Sequence, residues 1–310
     1  MAKVECFKIR LLFQDVGIKE IDLNKVLLDI YFDRRYFMPN PVIIVADPFL
    51  FVYKKTLYLF YEEKRLLTPG VLRMIMTHDL KTWTSPVTVL HENIHLSYPY
   101  VFENEGKVYM VPETGAGHYV GLYEAANENL TSFTLRKKLL IRKDMDISIG
   151  NDYADSSIHQ VNGIYYLFTT VQRNGVNELE LYYSDTLEGD YVAHSGSPVC
   201  RGQKYGRNGG GLIQKNGKLY RIAQDCVEHY GDNVHVLEVK QLNKDSYKEK
   251  QVEDSLYPIT HPFYCRGGHH LNTVTFQNQQ IIATDAKEYR NYVLVQAIQL
   301  KNRIISLIKK

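Results

Sequence analysis

The first of several related segments in this chain reads DPFLFVYKKTLYLFYE, from Asp47 to Glu62. A second copy, YPYVFENEGKVYMVPE, runs from Tyr98 to Glu113, and a third begins at Asp155. Weaker copies are centred on residues 216–222 and 269–284. Each copy has an apolar run, a short polar turn and a second apolar run, which is the pattern of a β-hairpin. The chain is therefore predicted to consist of repeated hairpins.

A second repeated pattern follows the hairpins and consists of an apolar strand, a polar turn and an aromatic residue. Its copies are THDLKTW at 77–83, NENLTSF at 127–133, SDTLEGDY at 184–191 and a looser VKQLNKDSY at 239–247. Together the two patterns supply four strands per repeat, which is typical of the blades of a propeller. We therefore predict an all-β fold, a five-bladed β-propeller with four-stranded blades.

The repeats predict a single domain that covers residues 1–310. The predicted blades span approximately residues 41–83, 95–133, 153–191, 208–247 and 269–300. Residues 4–13 alternate well enough to form a strand, and we expect this strand to close the ring by pairing with Tyr292–Leu300 in the last blade. Residues 17–36 match no repeat and are expected to form a loop or a short helix.

The composition narrows the class of protein. The formal net charge is only +2, so nothing favours a nucleic-acid partner. No apolar run has the length of a signal peptide or a membrane span, and we therefore predict a cytoplasmic location. The four cysteines lack metal-ligand spacing and are interpreted as structural thiols. The basic end, residues 301–310, is interpreted as a solvated tail.

The innermost strands of a propeller begin around one central depression, so the residues that open the repeats are expected to meet there. These residues are Asp47, Tyr98 and Asp155, then a residue near Gly209, and in the last blade His269 and His270. Two carboxylates that face one pocket can stabilise an oxocarbenium-like centre or activate a nucleophile. Either aspartate could instead cap a turn or the start of a strand. Their shared position in the repeat favours the pocket, and we predict catalytic roles for both.

Other candidates flank these openings. Glu113 ends its hairpin and is a third catalytic candidate, although the equivalent Glu62 indicates that this position accepts glutamate for ordinary reasons. His95 and Tyr98 precede or open the second blade, and Tyr98 could stack on a sugar or simply pack. The remaining candidates for substrate binding are Lys204, Arg207, Asn208, His269 and His270.

The fourth blade opens with Lys204-Tyr205-Gly206-Arg207-Asn208-Gly209-Gly210-Gly211. Arg207 offers a planar fork suited to phosphate, and the glycines would let a ligand approach the backbone or would only form a sharp turn. The histidine pair, with Asp285, is weak evidence for zinc because no third spaced ligand is present. We predict no metal and no cofactor.

The quoted segments resemble two known groups of proteins. The Ala46-Asp47-Pro48-Phe49 opening, with Asp155 in the third repeat, is similar to the five-bladed glycosidases that include arabinanases, xylosidases and β-fructosidases. Residues 46–51, the segment HLSYPYVF at 95–102 and Val111-Pro112-Glu113 more closely resemble the N-terminal domain of plant glucosamine inositolphosphorylceramide transferases. Related domains occur in bacterial surface-polysaccharide gene clusters. The likeness extends from Val45 to Lys287 and implies sugar chemistry on a five-bladed propeller.

The resemblance to glycosidases implies that Asp47 is a general base and that Asp155 tunes the pKa of the acid. Those enzymes have a glutamic acid at the start of the fourth blade, where this chain has Arg207-Asn208-Gly209-Gly210. Loss of an acid should lower the rate of hydrolysis on the order of 10²–10⁴-fold. A sugar nucleotide leaves as a phosphate, which needs cations and not a proton.

We therefore predict a glycosyltransferase that uses a phosphate-linked sugar in cell-surface polysaccharide biosynthesis. The expected partners are a sugar nucleotide or glycan substrate and membrane-associated glycan-assembly proteins. One alternative is a glycoside hydrolase in which Glu113 supplies the acid. The other is a non-catalytic, glycan-binding propeller, because propellers host many functions.

Overall fold

A computed structural model describes residues 3–15, 21–142, 152–253 and 255–297. The first strands are β1 (Val4–Asp15), β2 (Val26–Ile30), β3 (Val42–Tyr53), β4 (Thr56–Arg65), β5 (Gly70–Thr77), β6 (Val87–Leu90), β7 (Ser97–Asn104), β8 (Lys107–Glu113), β9 (Tyr119–Ala125) and β10 (Phe133–Ile141). The later strands are β11 (Ala154–Val161), β12 (Ile164–Arg173), β13 (Val176–Ser184), β14 (Val192–Ala193), β15 (Cys200–Arg201), β16 (Arg207–Asn208), β17 (Ile213–Lys215), β18 (Lys218–Asp225), β19 (Asn233–Leu242), β20 (Tyr247–Glu253), β21 (Leu271–Phe276) and β22 (Gln279–Arg290). A 3₁₀ turn covers Gly115–Gly117 and residues 293–297 are helical. The all-β prediction is confirmed.

Hydrogen bonds join these described strands into four sheets. Their orders are β21-β22-β1-β3-β4-β5-β6 with β2 on β1, β10-β9-β8-β7, β11-β12-β13-β14 with β15 on β13, and β16-β18-β19-β20 with β17 on β18. The predicted first and fifth blades lie in the same eight-stranded sheet, where β1 and β3 share one parallel pair, Phe7 with Ile44. The repeated hairpins of the sequence are β3–β4, β7–β8, β11–β12, β17–β18 and β21–β22.

The N-terminal strand joins the last hairpin, but its partner differs from the prediction. β1 pairs with β22 along the whole strand, from Val4 opposite Arg290 to Asp15 opposite Gln279. The expected pairing with Tyr292–Leu300 is wrong, because residues 293–297 are helical and β22 itself extends beyond the repeated motif. Residues 298–300 lie outside the described part. The expected loop or helix over residues 17–36 is also corrected, since β2 adds to the other edge of β1.

The opening residues of three hairpins share an unusual backbone conformation. Asp47, Tyr98 and Asp155 have positive φ values of 53°, 48° and 52°. The register of each hairpin shifts at the same place, which marks a bulge. A positive φ is unfavourable for residues with a Cβ and persists only where the surroundings fix it. The repeats therefore use equivalent bulges to aim their opening residues.

A large apolar cluster fixes the first three hairpins relative to one another. It includes the buried side chains of Phe49, Tyr100, Ile158 and Leu167. The Phe49 ring packs edge-on against Tyr98 and Tyr100, with centroid distances of 4.8 and 5.7 Å. Burial of aromatic side chains is a main source of stability. The cluster therefore holds the first residues of the three hairpins in fixed positions. In the described part of the chain, no helix has the length and apolar character needed to cross a bilayer.

Candidate active site

A cavity of about 180 Å³ lies where the hairpins open. Its walls carry four carboxyl side chains from three successive hairpins, namely Asp47, Glu62, Glu113 and Asp155. The other lining residues are Glu5, Phe7, Ile44, Lys64, His95, Ser97, Arg207, Tyr230 and His269. The structure thus brings all three predicted catalytic residues to one cavity, together with His95, Arg207 and His269.

Side-chain oxygens near the cavity accept hydrogen bonds from the backbone of the following repeat. The N–H of Asp47 donates to Asp285 Oδ2 at 3.2 Å, and the N–H of Asp155 donates to Glu113 Oε2 at 3.3 Å. The N–H of Tyr98 donates to Asp47 Oδ2 at 3.1 Å. These bonds satisfy amides that the bulges turn away from the sheet ladders, and they stabilise the positive φ values. We call them the inter-repeat hydrogen bonds.

Asp47 belongs to a buried chain of charges. His269 lies between two carboxylates, with its Nδ1 at 2.7 Å from Asp285 and its Nε2 at 3.5 Å from Asp47. Burial disfavours the imidazolium, but Asp285 and then Asp47 raise the pKa of His269 to about 9. Burial, opposed by His269, raises the pKa of Asp47 to about 7. A carboxylate with a pKa near neutrality is well matched to accepting a proton.

Asp155 is held in place by an arginine. Arg207 Nε donates to Asp155 Oδ2 at 2.6 Å, and Arg207 Nη2 lies 3.9 Å from Glu113 Oε2. Gln224 Nε2 donates to the same Asp155 oxygen at 3.1 Å. Burial raises the pKa of Asp155 to about 6 although Arg207 opposes this, and burial also raises the pKa of Glu113. Arg207 therefore neutralises two buried carboxylates, and its side chain is only 17% exposed.

Glu62 differs from its equivalents in the other hairpins. Glu113 and Asp285 occupy the same hairpin position as Glu62, and each accepts the N–H of the residue that opens the next repeat. Glu62 does not, because the N–H of Tyr98 donates to Asp47. Glu62 Oε1 is buried without a hydrogen bond and lies 3.4 Å from His95 Nε2. Burial, followed by the charges of Asp47 and Glu113, raises the pKa of Glu62 well above its usual range. Glu62 is thus a buried carboxyl with a raised pKa and a titratable neighbour, His95.

His95 connects Glu62 to the mouth of the cavity. The N–H of Gly70 donates to His95 Nδ1 at 2.9 Å, so the proton of the neutral ring is assigned to Nε2, which faces Glu62. Burial lowers the pKa of His95 to about 4, although its side chain remains 35% exposed. A Cβ at Gly70 would lie 2.8 Å from both Glu62 Oε1 and the His95 ring, which explains the glycine.

The other predicted binding residues do not line this cavity. Tyr98 and His270 are buried and pack on each other, with a ring-centroid distance of 5.5 Å. Asn208 is buried and its Nδ2 donates to the backbone carbonyl of Asp155 at 2.9 Å. Lys204 Nζ lies over the Tyr205 ring, 5.3 Å from its centroid. Their substrate-binding roles stay predictions.

The glycines of the fourth blade serve the packing of the chain. A Cβ at Gly210 would lie 2.1 Å from the backbone oxygen of Leu271, and one at Gly211 would lie 2.7 Å from the Tyr100 ring. The close approach that the triple glycine predicts is therefore an approach of neighbouring protein segments. This segment does not carry the ligand-facing backbone that the sequence allowed.

Three side chains of the kinds that bind metals come together beside the cavity. Ligand atoms of Asp47, His269 and Asp285 lie within 4.8 Å of one another. In the structure His269 pairs with both carboxylates, so the three side chains form an ion-paired chain.

Sequence reasoning missed four functional candidates. Glu62 was assigned an ordinary role, and Asp285 was considered only as a metal ligand, although both share the repeat position of Glu113. Lys64 and Tyr230 line the cavity but lie outside the motifs that were compared. The repeat comparison already aligns Glu62 with Glu113, and the same alignment in the last hairpin identifies Asp285, whereas no sequence signal identifies Lys64 or Tyr230.

Solved structures with low sequence identity define the class of fold. A family 117 glycoside hydrolase of Zobellia galactanivorans superposes with a TM-score of 0.55 at 13% identity, covering 89% of this chain and 90% of that chain. A β-fructofuranosidase of Bombyx mori gives a TM-score of 0.56 at 15% identity, covering 77% of this chain and 54% of that chain. The fold is that of the β-propellers to which these glycosidases belong.

The sequence comparison identifies the family. The model of the glucosamine inositolphosphorylceramide transferase 1 N-terminal family matches residues 36–285, and the chain belongs to this family. The transferase of that name from Arabidopsis thaliana is 35% identical over 226 residues, covering 70% of this chain. Its counterpart from Oryza sativa subsp. japonica is 38% identical over 222 residues, covering 68% of this chain. The chain spans 28% of the length of each of these relatives.

Proposed function

We propose that this chain transfers a sugar from a phosphate-linked donor to a hydroxyl acceptor. The observation that carries the proposal is the cavity that is lined both by Asp47, with a pKa near 7, and by the Asp155–Arg207 pair. The names of the relatives, which describe a transferase, support the same class of reaction. A role in cell-surface polysaccharide biosynthesis is part of the proposal.

Asp47 acts as the base in this reaction. It takes the proton of the acceptor hydroxyl as the acceptor oxygen bonds to the anomeric carbon, while the bond from that carbon to the phosphate oxygen breaks. The phosphate leaves with the bonding electrons and needs no proton from a strong acid. His269 and Asp285 keep the Asp47 side chain in place through the ion-paired chain.

Asp155 supplies negative charge near the developing oxocarbenium-like centre. Its carboxylate is fixed by Arg207 and Gln224, so it does not reorganise during the reaction. Arg207 also lies over the Tyr230 ring, with its guanidinium carbon 5.1 Å from the centroid. This arrangement supports a role for Arg207 in positioning Asp155, and the phosphate must find its cations elsewhere.

The test is release of nucleoside diphosphate from a panel of sugar nucleotides, with a glycan acceptor present. Asp47→Asn is expected to lower the rate on the order of 10²–10⁴-fold because the base is lost. Asp190→Asn, at an exposed turn, is the matched control and should leave the rate unchanged. Equal rates in Asp47→Asn and the unchanged chain would contradict the role of Asp47 as the base, and no release by the unchanged chain would favour a binding function.

Glycoside hydrolysis is the second candidate, and Glu62 favours it. A protonated carboxyl and a carboxylate base in one cavity are the equipment of a hydrolase. In this case Glu62→Gln should abolish release of reducing sugar, while transfer from a sugar nucleotide would survive the substitution. Glu113→Gln separates this arrangement from one in which Glu113 is the acid.

We further interpret the strand order as five blades in a closed ring. The single pair between β1 and β3 is a weak junction inside the eight-stranded sheet, and it separates a β21-β22-β1-β2 blade from a β3-β4-β5-β6 blade. The inter-repeat hydrogen bond from Asp47 to Asp285 supports closure between the last hairpin and the first.

A further inference from the structure

We propose that a basic groove beside the cavity binds a phosphate group of the ligand whose sugar occupies the cavity. The basic groove has a volume of about 420 Å³. Its cationic lining residues are Lys3, Lys8, Arg34, Arg266 and Lys287, and its other lining residues are Pro262, Cys265, Glu288 and Tyr289. The inference rests on the proposed transfer reaction and names the site of the phosphate.

The positive charge of the basic groove is only partly compensated. Glu288 accepts from Lys8 Nζ and from Arg34 Nη2, each at 3.2 Å, and it also pairs with Arg290. One carboxylate thus serves three cations. Lys3 and Arg266 have no acidic partner within the described part of the chain. An uncompensated cluster of this kind attracts anions, and phosphate is an anion that both arginine and lysine bind in proteins.

Part of the basic groove is rigid. The side chains of Lys8 and Lys287 are 8% and 0% exposed, so their positions are fixed by packing. Lys8 Nζ lies 4.4 Å from the centre of the Phe263 ring. These two buried, ion-paired lysines supply fixed positive charge behind the basic groove, so direct contact with a ligand is left to the exposed cations. Arg34 and Arg266 are exposed at the rim and can close on a bound anion.

The basic groove and the cavity share a wall. Lys287 Nζ donates to the backbone oxygen of Tyr230 at 2.5 Å and lies 3.8 Å from the carboxylate of Glu5. Both Tyr230 and Glu5 line the cavity. A ligand with a sugar in the cavity can therefore extend past Glu5 and place its phosphate among the cations.

Strand register gives the span between the two ends of such a ligand. Lys64, Ile44, Phe7 and Lys287 are paired in one row across β4, β3, β1 and β22. Neighbouring strands lie roughly 4.8 Å apart, so the two lysines are separated by roughly 15 Å. Lys64 marks the cavity and Lys287 the basic groove. This span suits a sugar joined to one or two phosphates.

Arg207 and Lys204, which the sequence suggested as phosphate-binding residues, are less suited to bind phosphate than the basic groove. Arg207 is committed to two buried carboxylates, and Lys204 lies outside the lining of both the cavity and the basic groove. In the basic groove, Lys3 and Arg266 have no acidic partner among the described residues, so this surface keeps positive charge beside the cavity.

The test measures binding of inorganic pyrophosphate and, separately, of phosphatidylcholine vesicles with and without phosphatidylinositol. The double variant Arg34→Ala/Arg266→Ala removes two exposed cations and is expected to fold normally. It should weaken binding by at least about tenfold, because charge-assisted hydrogen bonds are lost. Lys240→Ala/Lys250→Ala, on the fourth sheet, removes the same charge and should bind like the unchanged chain.

The two probes distinguish the source of the phosphate. Groove-dependent binding of pyrophosphate alone assigns the site to a soluble donor, and groove-dependent binding of phosphatidylinositol vesicles alone assigns it to a lipid headgroup. Binding of neither probe, or an equal loss in both double variants, overturns the proposal. The measurement needs no turnover, so it can succeed where the transfer assay fails, and Asp47→Asn should bind both probes normally.

Discussion

At the scale of single residues, Glu62 offers the sharpest test of the cavity. Its buried carboxyl keeps a proton that the unfolded chain releases above the ordinary pKa of 4.5. Ionisation of the unfolded chain therefore costs stability as pH rises, and a glutamine avoids this cost. Glu62→Gln is expected to raise the free energy of unfolding by about 1 kcal/mol or more at pH 8 and to change it little at pH 4.

The measurement for Glu62→Gln is urea denaturation at the two pH values. Glu103→Gln, at an exposed position of β7, is the control and should show no difference between them. A Glu62→Gln chain that is less stable at pH 8 would mean that the carboxylate form is the favoured one in the cavity.

Arg207 provides the opposite case, a buried cation whose removal leaves two acids unpaired. Arg207→Ala should lower the free energy of unfolding by about 3–5 kcal/mol at pH 8, as is usual when one partner of a buried ion pair is lost. The loss should shrink towards pH 5 as Asp155 gains a proton. If the variant keeps its stability at pH 8 and loses only affinity for pyrophosphate, Arg207 binds phosphate directly.

Individual residues also show how far sequence reasoning reaches. Asp47 and Asp155 could be predicted because equal repeat positions imply equal orientation, and the structure places both at one cavity. The neutralising role of Arg207 could not be predicted, because ion pairing depends on which side chains of different repeats come into contact. Lys204 was favoured for its charge alone, and its position over Tyr205 depends on a local backbone course that composition does not specify.

At the scale of elements, β1 is an interior strand of the eight-stranded sheet. It pairs with β22, β2 and β3, and Ile9 at its centre is fully buried. Ile9→Ala should lower the free energy of unfolding by about 2–5 kcal/mol, because it leaves a cavity in the core. Val26→Ala, at the exposed end of β2, should change it by less than about 0.5 kcal/mol. Thermal denaturation of both variants checks this, and equal effects would argue against a central role for β1.

Strand identity was predictable from the sequence, whereas partner choice was less so. The repeated hairpins were visible in alternating apolar runs, and β1 was recognised as a strand for the last blade. The repeated motif ends at Thr284, whereas β22 continues to Arg290, so the motif does not indicate that β22 is long enough to pair with all of β1. β2 carries no repeat motif, and it becomes a strand because β1 offers an unpaired edge.

At the scale of the whole molecule, the buried charges predict the response of stability to alkali. His269 has a folded-state pKa of about 9, above its ordinary 6.5, so its stabilising contribution is complete below pH 6.5 and is lost as pH rises towards 9. Asp47, with its pKa raised to about 7, adds to the loss up to that pH. The free energy of unfolding should therefore fall between pH 7 and 8.5.

The size of this fall is at most about 1.4 kcal/mol per pH unit for each proton retained by the folded chain. Urea denaturation across this range checks the sign. His229→Gln, at an exposed position, should leave the slope unchanged. A flat or rising curve would show that the folded chain keeps neither the proton of His269 nor that of Glu62 in this range.

Because of the inter-repeat hydrogen bonds, a mutation of a candidate catalytic residue also affects the fold. Any substitution of Asp47 alters a candidate base and also the acceptor that holds the amide of Tyr98 in the neighbouring repeat. New specificities in this family should therefore arise more readily at the rim, among Lys64, Arg34 and Arg266, than among the interior acids. Family members should therefore differ in sequence at the rim of the cavity and keep the same acidic residues in its interior.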